Sequence, residues 1–175
     1  MTRREKIQKV LWPRGEDHSV FAILDGARNR AIYSKILNSY RESDCLYAGT
    51  LSPALESAAP HLVRLEMDDK LTNELLDEGW GDNWGIYFRA QDSFGSIRRH
   101  FRRFLRVQDE AGKKLVFRYY DPRVLRAYLP TCMPEEIDFV FREVVDGFWL
   151  EDADPSVMLE FKRDRRTLKT ARIEV

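Results

Sequence analysis

Two short acid–arginine pairs are the places in this chain where residue types and spacing could do chemistry. Asp25 and Arg28 sit in LDGAR directly after the apolar run SVFAIL, and Asp121 and Arg123 sit in YYDPR directly after KLVFRYY. Ligands of open α/β sheets gather beyond the carboxyl ends of strands, so two acids and two arginines at such ends could handle a phosphorylated or other anionic ligand. The same residues have a plainer reading. Asp25 opens an Asp-Gly turn, Asp121 with Pro122 behind it fits a helix N-cap, and Arg28 and Arg123 pair with these acids to hold the loops. Ion-pair networks of this kind perturb carboxylates without doing catalysis, and the balance favours the structural role.

Other catalytic signatures are missing. There is no phosphate-binding Gly-rich loop ending in Lys-Ser or Lys-Thr, no nucleophile elbow and no His-Glu zinc helix. His18, His61 and His100 stand in unrelated contexts, which points to surface or packing roles. Cys45 and Cys132 have no metal-ligand spacing and no apolar signal segment ahead of them, which suits a reduced cytoplasm, and Cys132, after a helix stop in LPTC, reads as a small buried hydrophobe. The expectation is a chain without cofactor, metal or covalent chemistry.

Two segments offer binding instead. In SFGSIRRHFRRFLRV, Phe94, Ile97, Phe101, Phe104 and Leu105 recur at helical spacing against Arg98, Arg99, Arg102, Arg103 and Arg106. Five arginines would suit a phosphate backbone, but the phenylalanines occupy the opposite face and cannot stack bases beside them. A solvated face or a protein partner ranks ahead of nucleic acid, with Asp68, Asp69, Glu135, Glu136, Glu151 and Asp152 as acids that could neutralise the stripe. In DEGWGDNWGIYF, three glycines in seven residues oppose a helix, since each interior Gly costs about 1 kcal/mol relative to Ala. A loop follows, with Trp84 next to a strand as the buried anchor and Trp80 as the more exposed indole available to a partner.

These residues have to be positioned by a domain of 175 residues, enough for one core. Lys plus Arg equals Asp plus Glu at 29 each, so no global field draws the chain to nucleic acid or to a membrane, and no apolar stretch is long enough to span one. Helices are predicted over residues 4 to 12, 29 to 40 (with Ile32, Ile36, Leu37 and Tyr40 on one face), 70 to 78 with Gly79 as its C′ residue, and 93 to 107. Short helices follow Pro122, ending at Pro130, and Pro134. Strands are predicted in SVFAILDG, residues 61 to 66, WGIYFRA, KLVFRYY, and the terminal FWLED, VMLEF and TLKTARIEV. The pattern implies an α/β domain: a mixed central sheet with flanking helices and a C-terminal antiparallel extension over residues 153 to 175.

In order along the chain, FAILDGAR, YAGTLSPALESAAPHLVRL, LLDEGWGDNWGIYFRA, LRVQDEAGKKLVFRYYDPRVLRAYLPTC and FWLED resemble the adaptor, or effector-chaperone, family of bacterial type VI secretion, the carriers of a DUF4123 domain. The resemblance covers about residues 19 to 152, with residues 1 to 152 as the adaptor domain. It implies a cytoplasmic, non-enzymatic protein of a Gram-negative bacterium that binds a toxic effector and delivers it to the spike protein VgrG. By position, the family's recurrent residues fall on Asp25, Gly26, Trp80, Gly81, Trp84, Gly85, Phe104, Asp121, Pro122, Arg123, Leu129 and Pro130, none with a catalytic role. Trp80, Arg28, Arg98, Arg99 and Arg102 are the expected partner-binding residues. Only about 23 residues follow the resembling region, where the family often carries a further variable lobe.

Overall fold

The computed structural model describes all residues, 1–175. The run SVFAILD forms β1 (Ser19–Asp25), apolar at nearly every position because both of its faces are covered. Successive strand side chains point to opposite sides. Phe21 and Ile23 enter one core, and Val20, Ala22 and Leu24 enter the other. Around β1 lie β2 (Ser43–Cys45), β3 (Pro60–Leu65), β4 (Gly85–Ala90), β5 (Arg106–Gln108), β6 (Lys114–Val116), β7 (Val145–Glu151), β8 (Val157–Asp164) and β9 (Thr167–Glu174). Seven strands make one sheet in the order β2-β3-β1-β4-β7-β8-β9, while β5 and β6 form a separate hairpin. Every ladder is antiparallel.

The helices are α1 (Arg3–Leu11), α2 (Arg30–Ser39), α3 (Pro53–Ala58), α4 (Lys70–Glu74), α5 (Phe94–Phe104), α6 (Pro122–Tyr128) and α7 (Pro134–Phe141). One face of the sheet carries α1, α2 and α4 through Ile7, Leu11, Ile32, Ile36 and Leu71, together with Trp80, Trp84, Tyr87 and Trp149. The other carries α5, α6 and α7 through Ile97, Phe101, Phe104, Leu125, Ile137 and Phe141. The fold is of the α/β class expected, with β8 and β9 extending the sheet antiparallel beyond β7, but the central sheet is antiparallel throughout and not mixed.

Helix starts follow local chemistry. Thr2 and Glu5 form a capping box, and Asn29, Asp69, Ser93 and Asp121 each accept an N–H of the first turn with their side chains. Four expectations need correction. KLVFRYY is a strand only over Lys114–Val116, because Tyr119 and Tyr120 both enter the same core cluster, which strand alternation forbids. Residues 70–79 begin as α4 and end in a π turn, Leu75–Gly79. Gly79 does not terminate it through a positive φ. It is needed because the Trp84 ring lies against it, and an added Cβ would sit 2.7 Å from Trp84 Cε3. On α2, Leu37 and Tyr40 leave the buried face, since Tyr40 turns left-handed (φ 55) as the C-cap and is 95% exposed.

Candidate functional site

In an antiparallel sheet, strands two apart run the same way, so β1 and β7, on either side of β4, end at one edge. Asp25 and Glu151 finish these strands, and Gly85 begins β4 between them. Main chains crowd here. A Cβ on Gly85 would strike the Ile23 carbonyl, and one on Gly26 would strike the carbonyls of Ser57 and Ala59. This packing, not turn freedom, explains both glycines.

Asp25 is 1% exposed. Its carboxylate accepts the Ala27 N–H at 3.1 Å and closes an ion pair with Arg118. The expected partner, Arg28, turns elsewhere: its Nε donates to the Asp82 carbonyl at 2.6 Å and its Nη2 to Asp82 Oδ1 at 2.9 Å. Asp82 Oδ2 in turn accepts Trp84 Nε1–H at 2.8 Å. Asp121 caps α6 through the Arg123 N–H at 2.9 Å and takes the Arg123 guanidinium on both oxygens, at 3.0 and 2.7 Å. Burial pushes the Asp121 carboxyl up, but the Arg123 side chain and N–H outweigh it and hold the group below its ordinary value.

Glu151 is the residue the sequence did not single out here. From the end of β7 it accepts the N–H of Gly81 at 2.5 Å and of Asn83 at 2.7 Å, one on each oxygen. Both donors flank the tight loop in which Gly81 (φ 95) and Asn83 (φ 56) adopt left-handed conformations. Burial raises the Glu151 carboxyl above its ordinary value in spite of these bonds and of Arg126 nearby. The loop's two indoles are equally enclosed. Trp80 and Trp84 are each 4% exposed, and Trp80 Nε1 donates to the Pro155 carbonyl at 2.8 Å. Trp80 is therefore not the exposed, partner-facing indole expected: the β7–β8 turn covers it. Arg118 and Glu151 were missed because nothing local marks them; they matter through strands and loops far away in sequence.

Every acid at this edge is thus closed on an internal donor. None of the five principal pockets is lined by Asp25, Arg28, Asp121 or Arg123. Elsewhere, burial pushes the Cys45 and Cys132 thiols up, opposite to an activated nucleophile. Burial also pushes His61 and His100 down, His100 to about 4. No group of three or more His, Cys, Asp or Glu is placed to hold a metal ion, and no helix is long and apolar enough to cross a membrane.

The arginine stripe divides: the helix ends at Phe104, short of the expected Val107, and Arg106 begins β5. Arg98 pairs with Asp44, and Arg102 Nη2 donates to the carbonyls of Cys45 at 2.9 Å and Tyr47 at 3.3 Å, so both tie α5 to β2 and the loop after it. Arg99 bonds only Ser96 Oγ, at 2.9 Å, and Arg103 and Arg106 are exposed. Of the acids foreseen as neutralising the stripe, Asp69 holds Arg41, Glu135 holds Arg166, Asp152 holds Arg172, Glu136 accepts the Met133 N–H and Glu151 clamps the loop, and none pairs with the stripe. Beside the end of α5 runs a groove of about 500 Å³, walled by Leu46, Leu51, Leu55, Leu105 and Val116 with Arg102, Arg103 and Arg106 among its lining residues.

Fold and edge together define a three-layer α/β domain whose strand-end acids are locked by arginines and backbone N–H groups. The chain belongs to the family described as Domain of unknown function (DUF4123), whose model matches residues 20–138. The match ends within α7, short of the FWLED segment, so β7, β8 and β9 complete the sheet from outside the matched residues. No curated protein and no solved structure matches the chain.

Proposed function

We propose that this protein is a cytoplasmic adaptor of type VI secretion that binds an effector protein and promotes its loading onto the VgrG spike, without covalent chemistry of its own. Membership of the DUF4123 family supports this reading, together with the order of motifs from FAILDGAR to YYDPR. The observation that carries its non-enzymatic part is the closure of the strand-end acids. Asp25 on Arg118, Asp121 on Arg123 and Glu151 on the loop N–H groups leave no carboxylate free to act on a ligand. The rival reading, an enzyme using Asp25, Arg28, Asp121 and Arg123 on an anionic ligand, draws no support from the five principal pockets, none of which these residues line. An apolar groove edged by cations suits reversible protein contacts better than turnover.

The test is capture of the tagged chain from a host carrying a type VI apparatus, with identification of what co-purifies, followed by effector export after deletion. The expected outcome is a secreted toxin in the complex and loss of its export. Unchanged export, or hydrolysis of a phosphorylated substrate that Asp25→Asn abolishes, would overturn the reading.

A further inference from the structure

The arginines elsewhere on this molecule mostly close on carboxylates: Arg28 on Asp82, Arg41 on Asp69, Arg89 on Glu16, Arg163 on Glu143. At the end of α5 they do not. Arg103 and Arg106 line the apolar groove, and Arg99, Arg103 and Arg142 line a second concavity of about 200 Å³ on the other side of the helix. Arg103 lines both and so stands between the two depressions. No Asp or Glu lines either of them. The pocket behind Arg102, which shares Tyr47, Leu51 and Arg102 with the groove, is lined by Asp44 and Glu56; Asp44 is already held by Arg98, and Glu143, between Arg142 and Val144 in the chain, is held by Arg163. In a chain of zero net charge, this is a local concentration of uncompensated cations beside exposed aliphatic surface.

One ordinary cause falls short. Cations at the end of a helix offset its terminal carbonyls, which accounts for Arg102 and Arg103 on α5 and suits Arg142, the C-cap of α7, but not Arg99, further up α5, or Arg106, beyond the helix on β5. Arg142 also sits at φ 45, ψ −148, a region nearly restricted to glycine, and such strain persists where the surroundings impose it, often at functional positions.

We propose that the groove and the arginine concavity form one docking surface for an acidic, amphipathic segment of a partner protein. Its apolar side chains fill the space between Leu55, Leu105 and Val116, and its carboxylates meet Arg99, Arg103, Arg106 and Arg142. Charge complementarity selects the acidic occupant. The aliphatic walls select protein over nucleic acid: Tyr47 is the one aromatic residue lining the groove, and a phosphate backbone gains nothing from leucines. Val116 and Leu55 are 57% and 47% exposed, so this apolar surface stands open to a partner. The inference rests on the adaptor reading only for naming that partner as the effector.

The test uses the full chain and fluorescence anisotropy with labelled helical peptides of about three turns. One probe carries Leu at i, i+3, i+4 and i+7 with Glu elsewhere; a second replaces Glu by Lys; a third replaces Leu by Ser; a fourth probe is single-stranded DNA. The acidic amphipathic peptide should bind in a salt-sensitive way, with the Lys and Ser versions and the DNA weaker by about tenfold or more. Arg99→Glu with Arg103→Glu, and separately Leu55→Ser with Val116→Ser, should each weaken it by about tenfold while circular dichroism stays unchanged, since all four residues are exposed, with only a small drop in melting for the first pair from the charge reversed at the end of α5. Equal binding of the Glu and Lys peptides, no binding of the Glu peptide, tighter binding of DNA, or unaltered binding by the variants overturns the proposal. Capture of an effector by wild type and variants alike would remove this surface and leave the adaptor reading standing. Peptide binding without any effector captured would do the reverse.

Discussion

Acidification from pH 7.5 to 5.5 should cost the fold about 1.4 kcal/mol through His100 alone. His100 lies on α5 among Phe101 and Phe104, with ring centroids 5.1 and 4.9 Å away, and its Nε2–H donates to the Val140 carbonyl at 2.8 Å. Burial is the main cause of its depression to about 4 from an ordinary 6.5; the Val140 carbonyl opposes it, and Arg142 and Arg103 add to it. The group is neutral in the folded chain and titrates near 6.5 in the unfolded one. Its contribution is therefore full above pH 6.5 and is lost as pH falls towards 4, because only the unfolded state takes up the proton. Between those limits the slope approaches about 1.4 kcal/mol per pH unit. His61, also depressed by burial, acts in the same direction. Glu151 and Asp146, raised by burial, act in the opposite one and gain as pH falls. The comparison that isolates His100 is therefore urea unfolding of wild type and His100→Gln, whose amide can still donate to Val140, at pH 7.5, 6.5 and 5.5. The stability difference should shift by about 1.4 kcal/mol in favour of the variant across that range. Parallel curves would mean that His100 is hydrated or protonated in the folded state, and the account of its burial would be wrong.

Trp80→Ala and Trp84→Ala should each cost about 3–5 kcal/mol in urea unfolding, with no large gap between them, since the indoles are equally enclosed. Glu151→Gln should cost about 1–3 kcal/mol, because an amide can satisfy only one of the two N–H groups that the carboxylate accepts. Amide exchange at Gly81 and Asn83 should quicken with it, and unchanged exchange would remove Glu151 as the loop's clamp. Arg142→Gly should raise stability by about 1 kcal/mol, relief of backbone strain exceeding the entropy that glycine adds to the unfolded chain. A lowered melting temperature would show the strain to be offset by contacts of the arginine side chain.

How much of this could be read from the sequence depends on the range of the interactions involved. Caps such as Asp121 before Pro122 were legible, since the donor they satisfy lies two residues away. Buried strands were legible as apolar runs, and β7, β8 and β9 fell where the tail changed character. The partners of charged groups were not legible. Asp25 has Arg28 three residues on, which made that pairing the economical guess, yet Arg118, 93 positions away, takes the carboxylate and leaves Arg28 to Asp82. The burial of Trp80 likewise depends on Pro155, 75 positions distant, which no local pattern announces.

The arginine stripe shows why the site was the harder part. Helical periodicity states that Arg98, Arg99, Arg102 and Arg103 avoid the face that Phe101 and Phe104 bury, and this is what the structure has; Arg106, expected on the same helix, begins β5 instead. It cannot state what lies across from each. The short strand β2, which the sequence did not reveal, supplies Asp44 and the Cys45 carbonyl, and so turns Arg98 and Arg102 into struts that hold α5 to the sheet edge. Arg99 stays outside that seam, and Arg103 and Arg106 line the apolar groove instead. Of the arginines expected to meet a partner, Arg98 and Arg102 are already engaged, whereas Arg103, Arg106 and Arg142 were not on that list and carry no carboxylate. A charge pattern in one helix becomes a recognition surface only where the fold leaves its counter-charge to be supplied by another molecule.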